Sequence, residues 1–483
     1  MGDSAAINRQ TMKQKFWNDI QHKRIARHDS QRREVLFFAH PHFLFFNSFV
    51  ITFSTVIAYQ ENIGGLVTLL PDGRVEFLHP KAKSVIEKLE AEEILSFDFD
   101  NYIISDPFVE LEQFHLSGPI IGFIEITNLC NLTCKHCYAF SGKKRSAELS
   151  TEKIFKLIDE FDKIGTLQLF LTGGEVFAHK DAIDIINYAL TKTFTLQIFT
   201  NGTLITEEKL KKINSSVSFF ISFDTADPQR TIRGKMNFPI LKKTFDLLKK
   251  YGHSFRTAIS VHSNNINDAE DIFEWCSLNN YPRPQWLETH PIGRALFNPH
   301  ILLHESKVND VFEIYKRCMD LYSIDESLLN NGNHNIESKS ENSFYSIDTI
   351  KFCQRLERAT GYEKCGRSVV YIASNGDVYP CSNCMSNNMY VAGNFNDTSL
   401  KDIWENGFSE FRKISFNDYK DCSVCPVQNE GVWCQFKCPP LAQNVSKNEL
   451  GCGATDYLKK FMIMSNRYWD ERKRNNVKLV LNK

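Results

Sequence analysis

The sequence predicts an α/β fold: an open, partial (β/α)6 barrel, with a small α/β domain before it and a C-terminal cysteine-rich domain after it. Three observations predict this. Six apolar, strand-like segments alternate with amphipathic helical stretches between residues 116 and 295. Repeated β-α units require parallel strands joined by crossover helices, and six of them suit an open barrel better than a closed one of eight. Short elements dense in cysteine then follow from residue 351 onward.

Residues 1–35 are polar and basic, with scattered apolar positions such as Met12, Phe16 and Ile20, and read as a solvated arm or helix. The unit 36–115 follows. Its uncharged stretch Phe43–Tyr59 is interrupted by Asn47, Ser48, Thr52, Ser54 and Thr55 and suits short buried strands better than a membrane span. Leu66–Leu70 and Arg74–His79 flank Pro71-Asp72-Gly73, where Pro presets φ and Gly accepts a positive φ. Ala82, Val85, Ile86 and Leu89 then repeat at helical spacing.

The barrel strands are expected at Ile120–Ile126, Leu167–Leu171, Thr195–Thr200, Ser216–Phe223, Phe255–Val261 and Pro284–Thr289. One helix carries Ile154, Leu157, Ile158 and Phe161 on a single face and stops at Gly165. Another begins near Pro239, carries Leu241, Phe245 and Leu248, and stops at Gly252. Residues 296–350 hold one amphipathic helix (Val311, Ile314, Tyr315, Cys318) and a polar linker. The cysteine-rich domain spans 351–465 and a tail 466–483. In such a fold, ligands gather at the carboxyl ends of the strands.

A formal charge of −1 gives no bulk attraction to nucleic acid or acidic lipid. The N-terminus lacks the pattern of a secretory signal, and no segment is long enough to span a membrane, so the expected location is the cytoplasm. Fourteen cysteines in a reducing compartment point to metal ligation or redox chemistry rather than disulfides.

Cys130-x3-Cys134-x2-Cys137 follows the first barrel strand. Three thiolates on a short loop can hold three irons of a cubane and leave the fourth iron open to a small molecule. A zinc site lacking its fourth ligand is the alternative for the loop alone. The stretch resembles the cluster motif of the radical S-adenosylmethionine (SAM) superfamily, in which an aromatic residue usually precedes the third cysteine; His136 stands there. Gly173-Gly174-Glu175, after the second strand, resembles the motif whose backbone meets the SAM amino group. Thr200 and Asn201 end the third strand, where the family places a ribose-facing group. Ser222, Asp224 and Arg233 resemble a segment whose Arg would pair with the SAM carboxylate, and Gly293 lies in a turn like the one against adenine.

Cys365-x10-Gly376-x4-Cys381, then Cys422-x2-Cys425-x8-Cys434-x3-Cys438-x13-Cys452, resembles the SPASM domain, which carries two auxiliary iron–sulfur clusters. The resemblance implies one cluster on Cys422, Cys425, Cys434 and Cys452. The other would lie on Cys365, Cys381 and Cys438 with an upstream ligand. Cys353 and Cys384 compete for that last position. Cys353 is the expected ligand, leaving Cys384 free or in contact with substrate. Cys276 and Cys318 read as ordinary buried thiols.

The resemblance implies a [4Fe–4S] cluster binding SAM, an external electron donor of flavodoxin or ferredoxin type, and no dedicated general base. It is most similar to sactipeptide-type maturases, which implies a ribosomally made precursor peptide as substrate and a thioether or C–C cross-link as product. Unit 36–115 resembles, in element order, a leader-recognition domain. A sulfatase-type maturating dehydrogenase is disfavoured, because Ser382 stands where that family has Asp. A peptide epimerase, a cofactor-synthesis enzyme and a non-catalytic zinc-stabilised binding protein complete the alternatives.

Overall fold

The computed structural model describes residues 118–322 and 364–481, except 215, 216 and 237, together with His115 and six strand segments between 36 and 78. The polar arm 1–35, the helix expected near Ala82–Leu89, the polar linker and Cys353 lie outside the described residues. The chain divides into two compact units, 1–114 and 115–483.

In the first unit the apolar stretch is cut into strands: β1 (Leu36–Phe38), β2 (His42–Phe46), β3 (Phe49–Phe53) and β4 (Val56–Gln60). β5 (Leu66–Leu69) and β6 (Val75–Leu78) flank the Pro-Asp-Gly segment as an antiparallel pair. The strands form a sheet in the order β1-β4-β5-β6 and a separate β2-β3 hairpin, all antiparallel. Both are rich in aromatic and β-branched residues, the types that strands favour.

The second unit is built on β7 (Ile121–Glu125), β8 (Gln168–Thr172), β9 (Thr195–Thr200), β10 (Ser218–Ser222), β11 (Ser254–Val261) and β12 (Gln285–Glu288). Each pairs in parallel with the next, so the six-stranded open barrel is present. Helices α1 (Thr151–Lys163), α2 (Ala182–Ala189), α3 (Glu207–Leu210), α4 (Phe238–Lys250) and α5 (Ala269–Leu278) fall between the strands. The Ser150 side chain caps α1 by accepting from the Lys153 N–H. Gly165, after α1, takes a φ of 83°, the left-handed turn that ends a helix. Ile154, Leu157, Ile158 and Phe161 are fully buried in the layer between helices and sheet.

The sheet does not end at β7. β13 (Val369–Ile372) pairs in parallel with β7, and β14 (Asp377–Tyr379) and β15 (Gly393–Asn394) continue antiparallel, giving nine strands in the order β12-β11-β10-β9-β8-β7-β13-β14-β15. The cysteine-rich region therefore extends the barrel sheet. On the other side, α6 (Val308–Asp320) meets the long helix Asp456–Leu481, where the Trp469 indole donates to Tyr315 Oη at 2.8 Å.

Strand alternation sends Ile124, Leu169, Leu171, Ile198, Phe219 and Ile221 to the helix side. The opposite face carries a row of aromatics across five adjacent strands: Tyr371, Phe123, Phe170, Phe199 and Phe220. Phe123 and Phe170 stack at 4.5 Å, and Phe199 meets Phe220 edge-on at 4.8 Å. No helix among the described residues is long and apolar enough to cross a membrane.

Candidate functional site

The loop after β7 is held at its base by backbone. Cys130 N donates to Gly142 O at 3.2 Å and Gly142 N returns to Asn128 O at 3.0 Å. Glu148 clamps the start of the loop by accepting from Thr127 Oγ1 (3.0 Å) and Asn128 N (2.7 Å). Gly174 and Glu175 donate their N–H groups to Thr127 O (2.7 Å) and Leu129 O (2.9 Å). A Cβ on Gly174 would stand 2.3 Å from Leu129 O, so glycine is required there by the loop's own backbone. The Gly-Gly-Glu segment thus docks the cysteine loop onto the end of β8.

Glu175 is buried, and its carboxylate accepts from Thr200 Oγ1 (2.6 Å), Asn201 N (2.8 Å) and Phe177 N (3.1 Å). Burial pushes this carboxyl up despite those donors. Asn201 Nδ2 reaches Asn131 Oδ1 at 3.0 Å and lies 3.9 Å from the Cys130 sulfur. These two residues tie the ends of β8 and β9 to the cysteine loop.

Ser222 closes β10, and Asp224 lies just beyond it, fully buried. Asp224 forms a two-point pair with Arg233, through Nε and through Nη2 at 2.9 Å, and also accepts from Ser260 N at 2.8 Å. Burial alone would raise the Asp224 carboxyl, but Arg233 holds it below its ordinary value. Arg233 stands beside Cys134, favouring its thiolate, although burial pushes that thiol up to about 12. Lys135 N donates to Ile232 O at 2.8 Å, which fastens the cysteine loop to the Arg233 segment. The guanidinium expected to meet a carboxylate ligand is therefore engaged by Asp224.

Gly293, at a φ of 57°, opens a turn against the same loop. A Cβ there would stand 2.4 Å from Cys137 O, and Arg294 N donates to that oxygen at 3.0 Å. Segments following β7, β8, β9, β10 and β12 thus converge on Cys130, Cys134 and Cys137.

Around them, buried side-chain atoms have no protein partner among the described residues: His136 Nδ1, His262 Nε2, Thr289 Oγ1, His290 Nδ1 and Arg294 Nε. All lie beyond the carboxyl ends of barrel strands. Burial drives the His136 imidazole down to about 3 and those of His262 and His290 to about 4, so all three are neutral at pH 7. Buried polar groups ordinarily find partners. Five orphaned donors and acceptors beside three thiols fit a polar small molecule seated at the loop, as SAM on a three-cysteine cluster would be. Thiols pushed up by burial, such as Cys130 and Cys134, would lose their protons to solvent on binding a metal.

The C-terminal cysteines fall into two groups. Cys422, Cys425, Cys434 and Cys452 feel one another electrostatically, and Cys425 N donates to Cys422 O at 3.2 Å. Burial pushes the Cys434 thiol up to about 12. In the second group Cys381 is within hydrogen-bonding reach of Cys365, Cys384 and Cys438, and these neighbours hold its thiol well below the ordinary value. The residue beside Cys381 is thus Cys384, with sulfurs 3.8 Å apart. Cys276 and Cys318 are fully buried in the core, as ordinary thiols.

Sequence reasoning missed a buried network between barrel and cysteine-rich region. Glu125 is fully buried and accepts from Arg145 Nε (3.0 Å), Tyr371 Oη (3.2 Å) and Ser374 Oγ (2.7 Å), and Tyr371 Oη lies 3.4 Å from Tyr138 Oη. No spacing announces these partners, which are up to 249 residues apart. His262 was missed too, although its place directly after β11 is a signal that the strand-end rule could have used.

The radical SAM superfamily model matches residues 124–276, and the SPASM model, an iron–sulfur cluster-binding domain, matches 364–426. The subtilosin biosynthesis protein AlbA of Bacillus subtilis is 33% identical over 160 residues, 32% of this chain and 36% of AlbA. The mycofactocin maturase MftC of Mycolicibacterium smegmatis is 27% identical over 315 residues, 63% of this chain and 75% of MftC. In fold, the chain resembles Streptococcus suis SuiB bound to SAM, with a TM-score of 0.59 at 15% identity, over 83% of this chain and 98% of SuiB. SuiB is also known bound to its precursor peptide SuiA, with the same score and coverage.

Proposed function

We propose, for a chain that belongs to the radical SAM superfamily and carries a SPASM iron–sulfur domain, the maturation of a ribosomally synthesised precursor peptide. The names of AlbA and MftC and the peptide complex of SuiB support that substrate class. The observation that carries it in this molecule is the aromatic face Tyr371–Phe123–Phe170–Phe199–Phe220, which lies on the interior side of the sheet whose strand ends carry the cysteine loop. Such a surface suits apolar peptide side chains and keeps water from a reactive intermediate.

With a reduced [4Fe–4S] cluster and SAM bound, the cofactors supply a 5′-deoxyadenosyl radical able to take hydrogen from an unactivated C–H bond. Cys130, Cys134 and Cys137 would hold three of the cluster's irons. Asn201 and Arg233 orient the loop from two sides, and Glu175 joins β8 to β9 beneath it. His136, Thr289, His290 and Arg294 offer polar atoms to SAM, as does His262. Gly173, Gly174 and Gly293 keep the loop close to the strand ends. The product is a thioether or C–C cross-link, and the electrons come from a flavodoxin- or ferredoxin-type donor. In the first unit, β1 and β6 end the four-stranded sheet among the described residues, and either would take a leader segment as an added strand.

The test uses full-length protein, reconstituted anaerobically, reduced, and mixed with SAM and a short cysteine-containing precursor peptide. Loss of two hydrogens from the peptide, with matching 5′-deoxyadenosine, is the expected result. Abundant 5′-deoxyadenosine with an unchanged peptide would overturn the substrate assignment. Deleting residues 1–114 should weaken peptide binding at least tenfold and spare SAM cleavage; equal binding would remove the leader role.

A further inference from the structure

The auxiliary site built on Cys365, Cys381 and Cys438 needs one more ligand, and the structure contains a thiol positioned for it. Cys381 precedes the short helix Ser382–Asn387 in extended conformation, with φ −163° and ψ 176°, and Cys384 lies in the first turn of that helix. The two sulfurs are 3.8 Å apart, and Cys384 is 0% exposed. Cys365 and Cys438 approach Cys381 from two further segments. Asn383 Nδ2 donates to the Cys438 sulfur at 3.5 Å, and Asn387 Nδ2 donates to Pro440 O at 3.2 Å, so the helix is pinned beside Cys438 on both flanks of Cys384. The reach of Cys381 thus takes in Cys384 together with Cys365 and Cys438.

We infer that Cys384 supplies the fourth thiolate of this auxiliary site. The inference rests on the iron–sulfur reading of the SPASM domain and not on the identity of the substrate. Its consequence is chemical. Four protein thiolates leave no open iron, so the site exchanges electrons and takes no substrate sulfur as a ligand. The loop site, with three thiolates, keeps the open position.

The experiment compares wild type, Cys384→Ser, Cys384→Ala and Cys353→Ala as full-length, anaerobically reconstituted chains. Iron, sulfide and zinc are measured together with the electron paramagnetic resonance of the reduced auxiliary sites. The serine variant keeps the side-chain volume, which guards against simple misfolding. Cys384→Ser should lose roughly a third of the iron or shift one auxiliary signal, and Cys353→Ala should change neither. In Cys384→Ala, added 2-mercaptoethanol should restore the lost signal by filling the vacated position, which a merely structural cysteine would not allow. Full iron and unchanged signals in both Cys384 variants would overturn the assignment, as would the loss appearing in Cys353→Ala. Wild type holding zinc without iron would instead overturn the iron–sulfur reading on which it rests.

Discussion

The cysteine loop after β7 and the cysteine-rich C-terminal region use the same side chain in opposite ways. The loop offers three thiols, and five buried side-chain atoms beyond the strand ends have no protein partner among the described residues. The C-terminal region brings Cys422, Cys425, Cys434 and Cys452 within electrostatic range of one another and puts Cys365, Cys384 and Cys438 within reach of Cys381. Three thiolates leave an iron open for a ligand, whereas four close the site. The surroundings follow suit. The loop is braced from four strand ends, by Glu175, Asn201, Arg233 and the Gly293 turn. The C-terminal groups are held by short helices and by backbone contacts such as Cys452 N to Asp421 Oδ2 at 3.0 Å. An open site needs walls supplied from elsewhere in the fold, and a closed one can be finished locally.

The largest effect expected from this contrast comes from emptying the loop. Replacing Cys130, Cys134 and Cys137 with Ala should lower reductive SAM cleavage at least about a thousandfold, while iron falls only from about twelve to about eight per chain. Chromatography of 5′-deoxyadenosine and an iron assay check both halves. Retention of cleavage, or loss of all iron, would erase the distinction between the two regions.

The bracing of the loop can be broken without touching a cysteine. Asp224→Asn leaves the buried Arg233 guanidinium without its charge partner, at a cost of about 3–5 kcal/mol. Anaerobic guanidinium denaturation should show that loss. The loop cluster should be lost on gel filtration before the auxiliary clusters, because Arg233 stands beside Cys134 of the loop.

The smallest effect is one of pH. Burial lowers His262 from its ordinary 6.5 to about 4, so its folded form resists protonation. An unfolded chain then binds more protons between those values, and stability falls as pH drops from about 6.5 toward 4. Relative to pH 7.5, His262 alone should cost about 2 kcal/mol at pH 5. His262→Asn, whose Oδ1 can replace Nδ1 as acceptor for Asn264 N, should flatten that part of the profile. An equally steep acid loss in the variant would assign it to other groups, His136 and His290 first among them.

Much of this was readable from local pattern. The six strands of the barrel begin and end within two residues of the expected spans, because the central strands of a parallel sheet, buried on both faces, are apolar runs between turn residues. The Pro-Asp-Gly segment joins two paired strands as expected. The cysteine loop follows β7, and Cys422, Cys425, Cys434 and Cys452 lie within electrostatic range of one another. Spacing works for such sites because ligands on one loop or in one small domain reach a common centre through nearby backbone.

What waited for the tertiary structure was every partnership made across the sheet. No local pattern says that β13 joins β7 and carries the cysteine-rich region onto the barrel, or that Glu125 takes up Arg145, Tyr371 and Ser374. Arg233 was legible as a functional cation, yet its carboxylate partner Asp224 became clear only when the ends of β10 and β11 met. The order of Cys381 and Cys384 was plain in the sequence, but only the structure sets their sulfurs 3.8 Å apart, with Cys365 and Cys438 also within reach of Cys381. Periodicity records which face of an element is buried, and motif spacing records which residues share a loop. Neither records which element lies alongside, because that is decided by the packing of the whole core and the pairing of buried polar groups within it.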